Sequence, residues 1–139
     1  MAEVVLKPRK AIRVPIYAPC IRPDDFAGLS EREIGSLEAW KGNRKVRLSE
    51  VFSVEGDASC GPEDLTIRLV GDFSKVREVG YGMSSGRVLV EGDIGLLAGE
   101  LMRGGTIEVS GDAGSWLGSR MRGGTIIVGG DAGDYVGSS

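Results

Sequence analysis

The chain has 139 residues and a hydrophobic content of 41%, enough for one domain with its own core. Its net charge of −3 argues against a nucleic-acid binder, and no apolar run approaches the ~18 residues of a membrane span. The sequence has no histidine, which excludes His-dependent catalytic triads and removes the usual zinc ligand. Cys20 and Cys60 lack metal-ligand spacing, and we interpret them as free thiols of a cytoplasmic protein.

The first 28 residues combine prolines with a basic cluster. The basic residues are Lys7, Arg9, Lys10 and Arg13. Prolines at this density disfavour regular structure except at strand edges, so we expect an extended arm along a partner or along the rest of the chain. Ser30 and Glu33 form a capping-box pattern, which predicts a short helix to about Leu37. The turn 41–44, Lys-Gly-Asn-Arg, lies between two strand-like runs and predicts a hairpin.

A 19-residue pattern recurs in the second half of the chain. It reads Gly-Asp-Ile/Ala-Gly from the anchors Gly92, Gly111 and Gly130, and an earlier copy starts at Gly71 with a two-residue insertion. The first two copies after Val88 close with Met-Arg-Gly-Gly. Apolar residues lie four and two positions before each anchor, which is typical of strands. These two columns are Ile67, Val88, Ile107, Ile126 and Leu69, Val90, Val109, Val128.

This period predicts the fold and the domains. Short strands with glycine corners, stacked at about 4.8 Å, predict an all-β parallel β-helix, a solenoid of 19-residue glycine-rich repeats. We assign residues 51–139 to the β-helix, with an incomplete last coil, and residues 1–50 to a short α/β segment containing the arm, helix and hairpin. Residues 52–57 match half a repeat and are predicted to be the first, incomplete coil, joined to the next by 58–64. Gly105 and Gly124 are predicted to be corners with positive φ or crowded backbone.

One column of the repeat carries carboxylates. Its members each follow a strand-ending glycine: Asp57, Asp72, Asp93, Asp112 and Asp131. Carboxylates on adjacent coils suit calcium, but calcium-binding repeats of this kind have a nonapeptide period. We therefore favour Asx-turns, in which each side chain accepts a hydrogen bond from its own corner.

The remaining columns predict packing rather than chemistry. Met83, Met102 and Met121 are interpreted as core filler and not as a soft metal site, because no Cys or His accompanies them. The glycine loop resembles a phosphate-binding loop, but no helix can follow Gly99 or Gly118 before the next glycine pair, which disfavours nucleotide binding. Three further columns are Ile94, Ala113, Ala132; Ala98, Leu117, Val136; and Leu97, Trp116, Tyr135, the last with no assigned direction. We assign no catalytic, cofactor-binding or metal-binding residue to this chain.

Several of these segments resemble the C subunit of formylmethanofuran dehydrogenase. They include residues 65–72, Gly-Asp-Ala-Gly-Ser-Trp from Gly111, Met-Arg-Gly-Gly from Met121, and Gly-Asp-Ala-Gly-Asp-Tyr-Val-Gly-Ser-Ser to the end. The same family is also resembled in the N-terminal half, by the proline arm, Phe26-Ala27-Gly28 and the Pro62-Glu63-Asp64 loop. The resemblance covers essentially the whole chain and implies a right-handed β-helix that serves as a scaffold without a cofactor of its own.

The resemblance also implies partners. One is similar to formate dehydrogenases and carries molybdopterin or tungstopterin and iron–sulfur clusters, and the other is similar to zinc amidohydrolases. Together such partners reduce CO₂ to formate and condense it with methanofuran, a reaction of methanogenesis and one-carbon metabolism. The resemblance leaves molybdenum or tungsten, and CO₂ reduction or formyl hydrolysis, open.

Three alternatives stay open. They are the C subunit of a formyltransferase/hydrolase complex, the β-helical domain of glutamate synthase, and a lone ice or polysaccharide binder. The last disagrees with the sparse threonines, Thr66, Thr106 and Thr125. Family members continue through further coils, whereas this chain stops at Ser139 in mid-repeat, so we expect a fragment. Its open last coil is expected to self-associate unless a partner covers it.

Overall fold

The structure is a computed structural model that describes residues 2–134 and Val136. These residues form ten strands, three short α-helices and a 3₁₀ turn at Pro62–Asp64. The strands are β1 (Ala2–Pro8), β2 (Ile16–Tyr17), β3 (Glu38–Lys41), β4 (Arg44–Arg47), β5 (Phe52–Glu55), β6 (Leu65–Val70), β7 (Val76–Arg77), β8 (Arg87–Glu91), β9 (Thr106–Val109) and β10 (Thr125–Val128). The helices are α1 (Pro23–Phe26), α2 (Glu31–Gly35) and α3 (Leu48–Val51). None of the described helices is long and apolar enough to cross a membrane.

The larger sheet has the strand order β10-β9-β8-β6-β1-β5. Its four repeat strands, β6, β8, β9 and β10, are parallel neighbours in one register. Ile67 pairs with Val88, Val88 with Ile107, and Ile107 with Ile126. The two predicted apolar columns are therefore confirmed. Beyond the strands, single bridges join Phe73, Ile94, Ala113 and Ala132, which confirms that column and adds Phe73 to it.

The core lies behind these columns because period-2 alternation turns their side chains to one face of the sheet. Ile67, Val88 and Ile107 are fully buried, as are Met83 and Met102, whereas Met121 packs partly buried at the edge of the core. The methionine column thus serves as core filler. The sequence did not predict whether the column of Leu97, Trp116 and Tyr135 faces the core or solvent. Trp116 is 40% exposed, and Tyr135 lies outside the described residues.

The start of the chain forms an internal strand of the larger sheet. β1 lies between β5 and β6, antiparallel to the first and parallel to the second. Val4 and Leu6 are fully buried in the core. The first part of the predicted arm therefore lies within the chain's own sheet. That sheet contains strands from both predicted domains, residues 1–50 and 51–139.

The smaller sheet has the order β4-β3-β2-β7, and the predicted hairpin and helix are both present. β3 and β4 pair antiparallel around Gly42 and Asn43. The capping box of α2 is confirmed, because the Glu33 amide donates to Ser30 Oγ at 3.3 Å and the Ser30 amide to Glu33 Oε1 at 3.0 Å. The helix ends at Gly35, two residues before the predicted Leu37.

The prediction of an all-β, right-handed parallel β-helix is wrong. The described chain is a mixed α/β fold with two mixed sheets and three helices, and it is not a solenoid. The repeat, with its two-residue insertion after β6, describes only the strands from β6 onward, whereas the preceding strands pair antiparallel with one another and are interspersed with short helices. Residues 52–57 are not a first coil either, because β5 runs antiparallel to β1 and has no pairing with β6.

Candidate interaction surfaces

The aspartate column binds backbone amides, but mostly not those of its own corners. Asp72 Oδ1 accepts from the Ser74 amide at 2.9 Å, as an Asx-turn requires. Asp93 Oδ1 instead accepts from the Asp112 amide at 2.7 Å, and Asp112 Oδ1 from the Asp131 amide at 2.8 Å. The Asx-turn prediction is confirmed at Asp72 and wrong at Asp93 and Asp112, where the bond joins successive repeats.

These bonds give the column a structural role. The hydrogen bonds from Ser74 lower the pKa of Asp72 below its ordinary value, because they favour the charged carboxylate. Among the described residues, no group of three or more His, Cys, Asp or Glu side chains could hold a metal ion. The carboxylates of Asp93 and Asp112 act as ties between repeats.

The glycine corners also serve stacking. Gly105 and Gly124 have φ of +82° and +88°, which confirms the predicted positive φ. The segments that follow Gly99 and Gly118 lead into β9 and β10 and not into a helix. A phosphate-binding loop opens a helix, so these loops lack the element that such a site needs.

The two cysteines are free thiols, as predicted. Burial, with a contribution from the nearby Asp25 charge, raises the pKa of Cys20 to about 12. The thiolate is the reactive form of cysteine, so Cys20 is an unreactive thiol near neutral pH.

A basic groove of about 580 Å³ opens at the junction of the two sheets. Among the described residues that line it, four cationic side chains face a single carboxylate, that of Glu50. They are Arg9, Lys10, Arg13 and Lys41. Buried Ile16 and half-buried Ile12 give it an apolar lining, and Val14 is 40% exposed at its rim. In a chain of net charge −3, this groove is a local concentration of positive charge suited to an acidic partner segment.

Backbone and side-chain bonds fix the shape of the basic groove. The Arg9 amide donates to Val51 O at 2.9 Å, and Arg9 Nε donates to Ser49 O at 2.7 Å. On the opposite wall, the Gly42 amide donates to Pro15 O at 2.9 Å. The segment after β1 is thus anchored to α3 and to the hairpin, which presents its basic side chains in a defined arrangement.

Sequence reasoning missed this groove as a site. The basic cluster among the prolines was a visible signal, but Lys41 and Glu50 come from the hairpin and from α3. Only the fold brings them beside the segment 9–14.

The edge strand β10 is the last strand of the larger sheet in the part of the chain that the structure describes. Ile127 is 51% and Val136 57% exposed, while Ile126 and Val128 are partly buried. The predicted self-association through this edge stays a prediction.

Two curated proteins similar to this chain are both C subunits of formylmethanofuran dehydrogenases. No family model matches the chain. The chain is 44% identical over 96 residues to the C subunit of the molybdenum-containing formylmethanofuran dehydrogenase 1 of Methanosarcina barkeri, covering 69% of this chain and 32% of the relative. It is also 44% identical over 99 residues to the C subunit of the tungsten-containing formylmethanofuran dehydrogenase 2 of Methanothermobacter wolfeii, covering 71% of this chain and 37% of the relative.

A solved structure shows the same fold. It is a chain in the crystal structure of the formyltransferase/hydrolase complex (FhcABCD) from Methylorubrum extorquens in complex with methylofuran. The similarity has a TM-score of 0.85 and 35% identity, and it covers 96% of this chain and 48% of that one. The present chain therefore spans about a third of the length of these curated relatives and about half of the solved chain.

Proposed function

We propose that this chain, a relative of the formylmethanofuran dehydrogenase C subunits, is a non-catalytic scaffold subunit of a formylmethanofuran dehydrogenase complex. The observation that carries the proposal is the 44% identity to two curated formylmethanofuran dehydrogenase C subunits. The structural likeness, at a TM-score of 0.85 over 96% of the chain, to a chain of a formyltransferase/hydrolase complex supports the role as a subunit of a larger assembly.

In this proposal the chemistry belongs to the partners. A formate-dehydrogenase-like partner with molybdopterin or tungstopterin and iron–sulfur clusters reduces CO₂ to formate. An amidohydrolase-like partner with zinc condenses the formate with methanofuran. The present chain binds none of these cofactors and holds the catalytic partners in position. The free thiols Cys20 and Cys60 fit a reducing compartment, and we place the complex in the cytoplasm.

A second candidate is the C subunit of a formyltransferase/hydrolase complex, in which the formyl group is released and not made. The solved neighbour favours it, because that chain comes from such a complex. The curated relatives at 44% identity favour the dehydrogenase, and they include both molybdenum and tungsten forms. We rank the dehydrogenase first on the strength of these identities.

The basic groove is the surface that we assign to partner contact. Its occupant is an acidic segment of a catalytic partner, with apolar side chains that pack on Ile12 and Val14 and carboxylates that face Arg9, Lys10 and Arg13. Desolvated arginines and apolar anchors are typical of the central part of protein interfaces.

Affinity purification of the tagged chain from its source organism, followed by mass spectrometry, tests the assembly. We expect both catalytic partners in stoichiometric amounts, with the metals in the complex and not in the isolated chain. Assays for dye-linked formate oxidation and for formyl hydrolysis then separate the two candidates. A chain that purifies alone, or that binds about one metal ion itself, would contradict the scaffold role.

A charge-reversal pair tests the basic groove. Lys10→Glu with Arg13→Glu is expected to lower the recovery of the partners at least tenfold, because reversed rim charges repel an acidic segment. The matched control is Arg32→Glu with Arg44→Glu, which makes the same change in net charge on exposed residues outside the groove. Equal recovery with both double variants would show that the partners dock elsewhere.

A further inference from the structure

A second cavity, of about 320 Å³, opens beside the Met-Arg-Gly-Gly segments and is here termed the arginine pocket. Three of its lining residues are arginines, and none of the lining residues that the structure describes is acidic. The lining residues are Arg22, Tyr81, Gly82, Leu101, Arg103 and Arg122. We propose that the arginine pocket is a binding site for an oxyanion, a carboxylate or a phosphate, whose apolar part rests on Tyr81 and Leu101. This inference stands independently of the scaffold role.

The repeat itself places two of the arginines side by side. The Arg103 amide donates to Met83 O at 2.9 Å, and the Arg122 amide donates to Met102 O at 2.8 Å. Arg103 and Arg122 therefore occupy the same position in successive stacked repeats, with backbones about one strand spacing apart, roughly 4.8 Å. Like charges at neighbouring positions repel each other, so the pair gains from a bound anion.

No counter-charge within the described chain relieves this pair. Within residues 2–134 and Val136, neither the Arg103 nor the Arg122 guanidinium makes an ion pair. Two other arginines of the repeats do make ion pairs: Arg68 lies between Glu3 and Glu91, at 3.0 and 2.7 Å, and Arg120 pairs with Glu100 at 3.1 Å.

The third arginine is held rigidly at the wall of the arginine pocket. Arg22 Nη1 donates to Tyr81 O at 3.0 Å, and Nη2 pairs with Asp25 Oδ1 at 3.2 Å. Its Nε is buried and has no hydrogen-bond partner among the described atoms. Gly82 keeps this approach open, because a Cβ there would lie 3.2 Å from Arg22 Nη1. The guanidinium is thus positioned before any ligand arrives, although Asp25 offsets part of its charge.

The preceding repeat shows that this column accepts a carboxylate. Its residue at the position of Arg103 is Ser84, whose amide and hydroxyl donate to the two carboxylate oxygens of Asp24 at 3.1 and 2.6 Å. In that repeat the chain supplies its own acidic group. In the next two repeats serine is replaced by arginine, and the described chain supplies none.

Arginine also defines the ligand class. The planar guanidinium matches the oxygens of a carboxylate or a phosphate in bidentate geometry, which a lysine cannot reproduce. Tyr81 and Leu101 add an aromatic and an aliphatic surface to the lining. This combination favours an oxyanion with an apolar substituent over a bare inorganic ion.

Amide chemical shifts of the 139-residue chain test the site, with inorganic phosphate, acetate and benzoate titrated at constant ionic strength. We expect saturable shifts at Tyr81, Gly82, Leu101 and Arg103, and tighter binding of benzoate than of acetate. Phosphate binding tighter than both would assign the site to a phosphate ligand, and benzoate binding tighter than phosphate would assign it to a carboxylate. The absence of saturable shifts at the arginine pocket for all three anions would overturn the proposal.

The test variant replaces Arg103 and Arg122 by serine, the residue that the preceding repeat has at the same position, Ser84. Arg103→Ser with Arg122→Ser is expected to weaken binding at least tenfold, because two charge-assisted contacts are lost. The control, Arg32→Ser with Arg44→Ser, removes the same charge outside the arginine pocket and is expected to change affinity less than twofold. Equal weakening in both double variants would show that net charge alone attracts the anion, and would overturn the site. Unchanged amide shifts elsewhere establish that the variants keep the fold.

Discussion

The leading segment, residues 2–64, and the repeat segment, residues 65–134, share one sheet but are built by different rules. In the repeat segment, residues 19 positions apart are neighbours, as in the pairs of β8 with β9 and of β9 with β10. In the leading segment, β1 pairs antiparallel with β5, whose residues are 44–50 positions away, and parallel with β6, whose residues are 63 positions away. The repeat period sets the register between the repeat strands, whereas the pairing of β1 depends on the tertiary fold.

The same dipeptide shows this difference. Gly56-Asp57 and Gly92-Asp93 have one sequence pattern, and both glycines have positive φ. Asp93 binds the amide of the next repeat, but Asp57 Oδ1 accepts from the Glu31 amide at 2.7 Å, at the start of α2. A local motif therefore specifies a corner and not the element that the corner meets.

The largest expected effect comes from the aromatic pair that joins the two segments. The rings of Phe52 and Phe73 stack with centroids 5.3 Å apart and planes 6° from parallel, and both are fully buried. Phe73→Ala and Phe52→Ala are each expected to lower the free energy of unfolding by about 3–5 kcal/mol. In a double-mutant cycle measured by urea denaturation, the pair should show a coupling of about 0.5–1.5 kcal/mol.

A buried phenylalanine outside this pair provides the control. Phe26→Ala should cost as much as either variant but show no coupling with Phe73→Ala. Strict additivity of Phe52→Ala and Phe73→Ala would mean that the two segments are stabilised independently.

The sequence predicted the repeat segment better than the leading segment, for a physical reason. The alternation at Ile67, Val88 and Ile107 fixes both the strand type and the partner, because identical offsets stack on identical offsets. The α2 capping box and the hairpin were also predictable, since each is closed within a few residues. The position of β1 was not, because Val4 and Leu6 carry no sign of which strands flank them.

The two candidate surfaces were predictable to different degrees. The basic groove needs Lys41 and Glu50 from elements that are distant in the sequence. The arginine pocket was half visible, because Met-Arg-Gly-Gly repeats at a fixed period. What the sequence could not show is that Arg22, 81 residues before Arg103, faces the same cavity.

Two glycine variants, one in each segment, are expected to differ in their loss of stability, by less than the phenylalanine variants cost. At Gly105, where φ is +82°, an added Cβ would lie 2.7 Å from Gly86 O and 2.9 Å from Ser85 C, both backbone atoms of the preceding repeat. At Gly42 in the hairpin φ is +62°, but no described atom would lie within 4 Å of an added Cβ. Gly105→Ala combines backbone strain with a clash and should cost about 2–4 kcal/mol, against about 1 kcal/mol for Gly42→Ala.

Thermal unfolding of the two glycine variants provides the measurement. Equal melting temperatures would show that the stacked backbone of the repeat segment can shift as easily as an exposed turn. That result would remove the proposed difference in packing.

The smallest expected effect concerns the Gly-Asp aspartates. Asp93→Ala and Asp57→Ala each remove one side-chain acceptor, so each should lower the free energy of unfolding by about 0.5–1.5 kcal/mol. The location of the effect distinguishes them: hydrogen exchange should quicken at the Asp112 amide in the first variant and at the Glu31 amide in the second. The Asn variants keep a carbonyl acceptor and serve as controls, with exchange expected near the wild-type rate.

If Asp93→Ala instead quickened exchange within its own corner and left exchange at the Asp112 amide unchanged, the bond between repeats would not form in solution. The two aspartates would then both be local, and this part of the contrast between the segments would disappear.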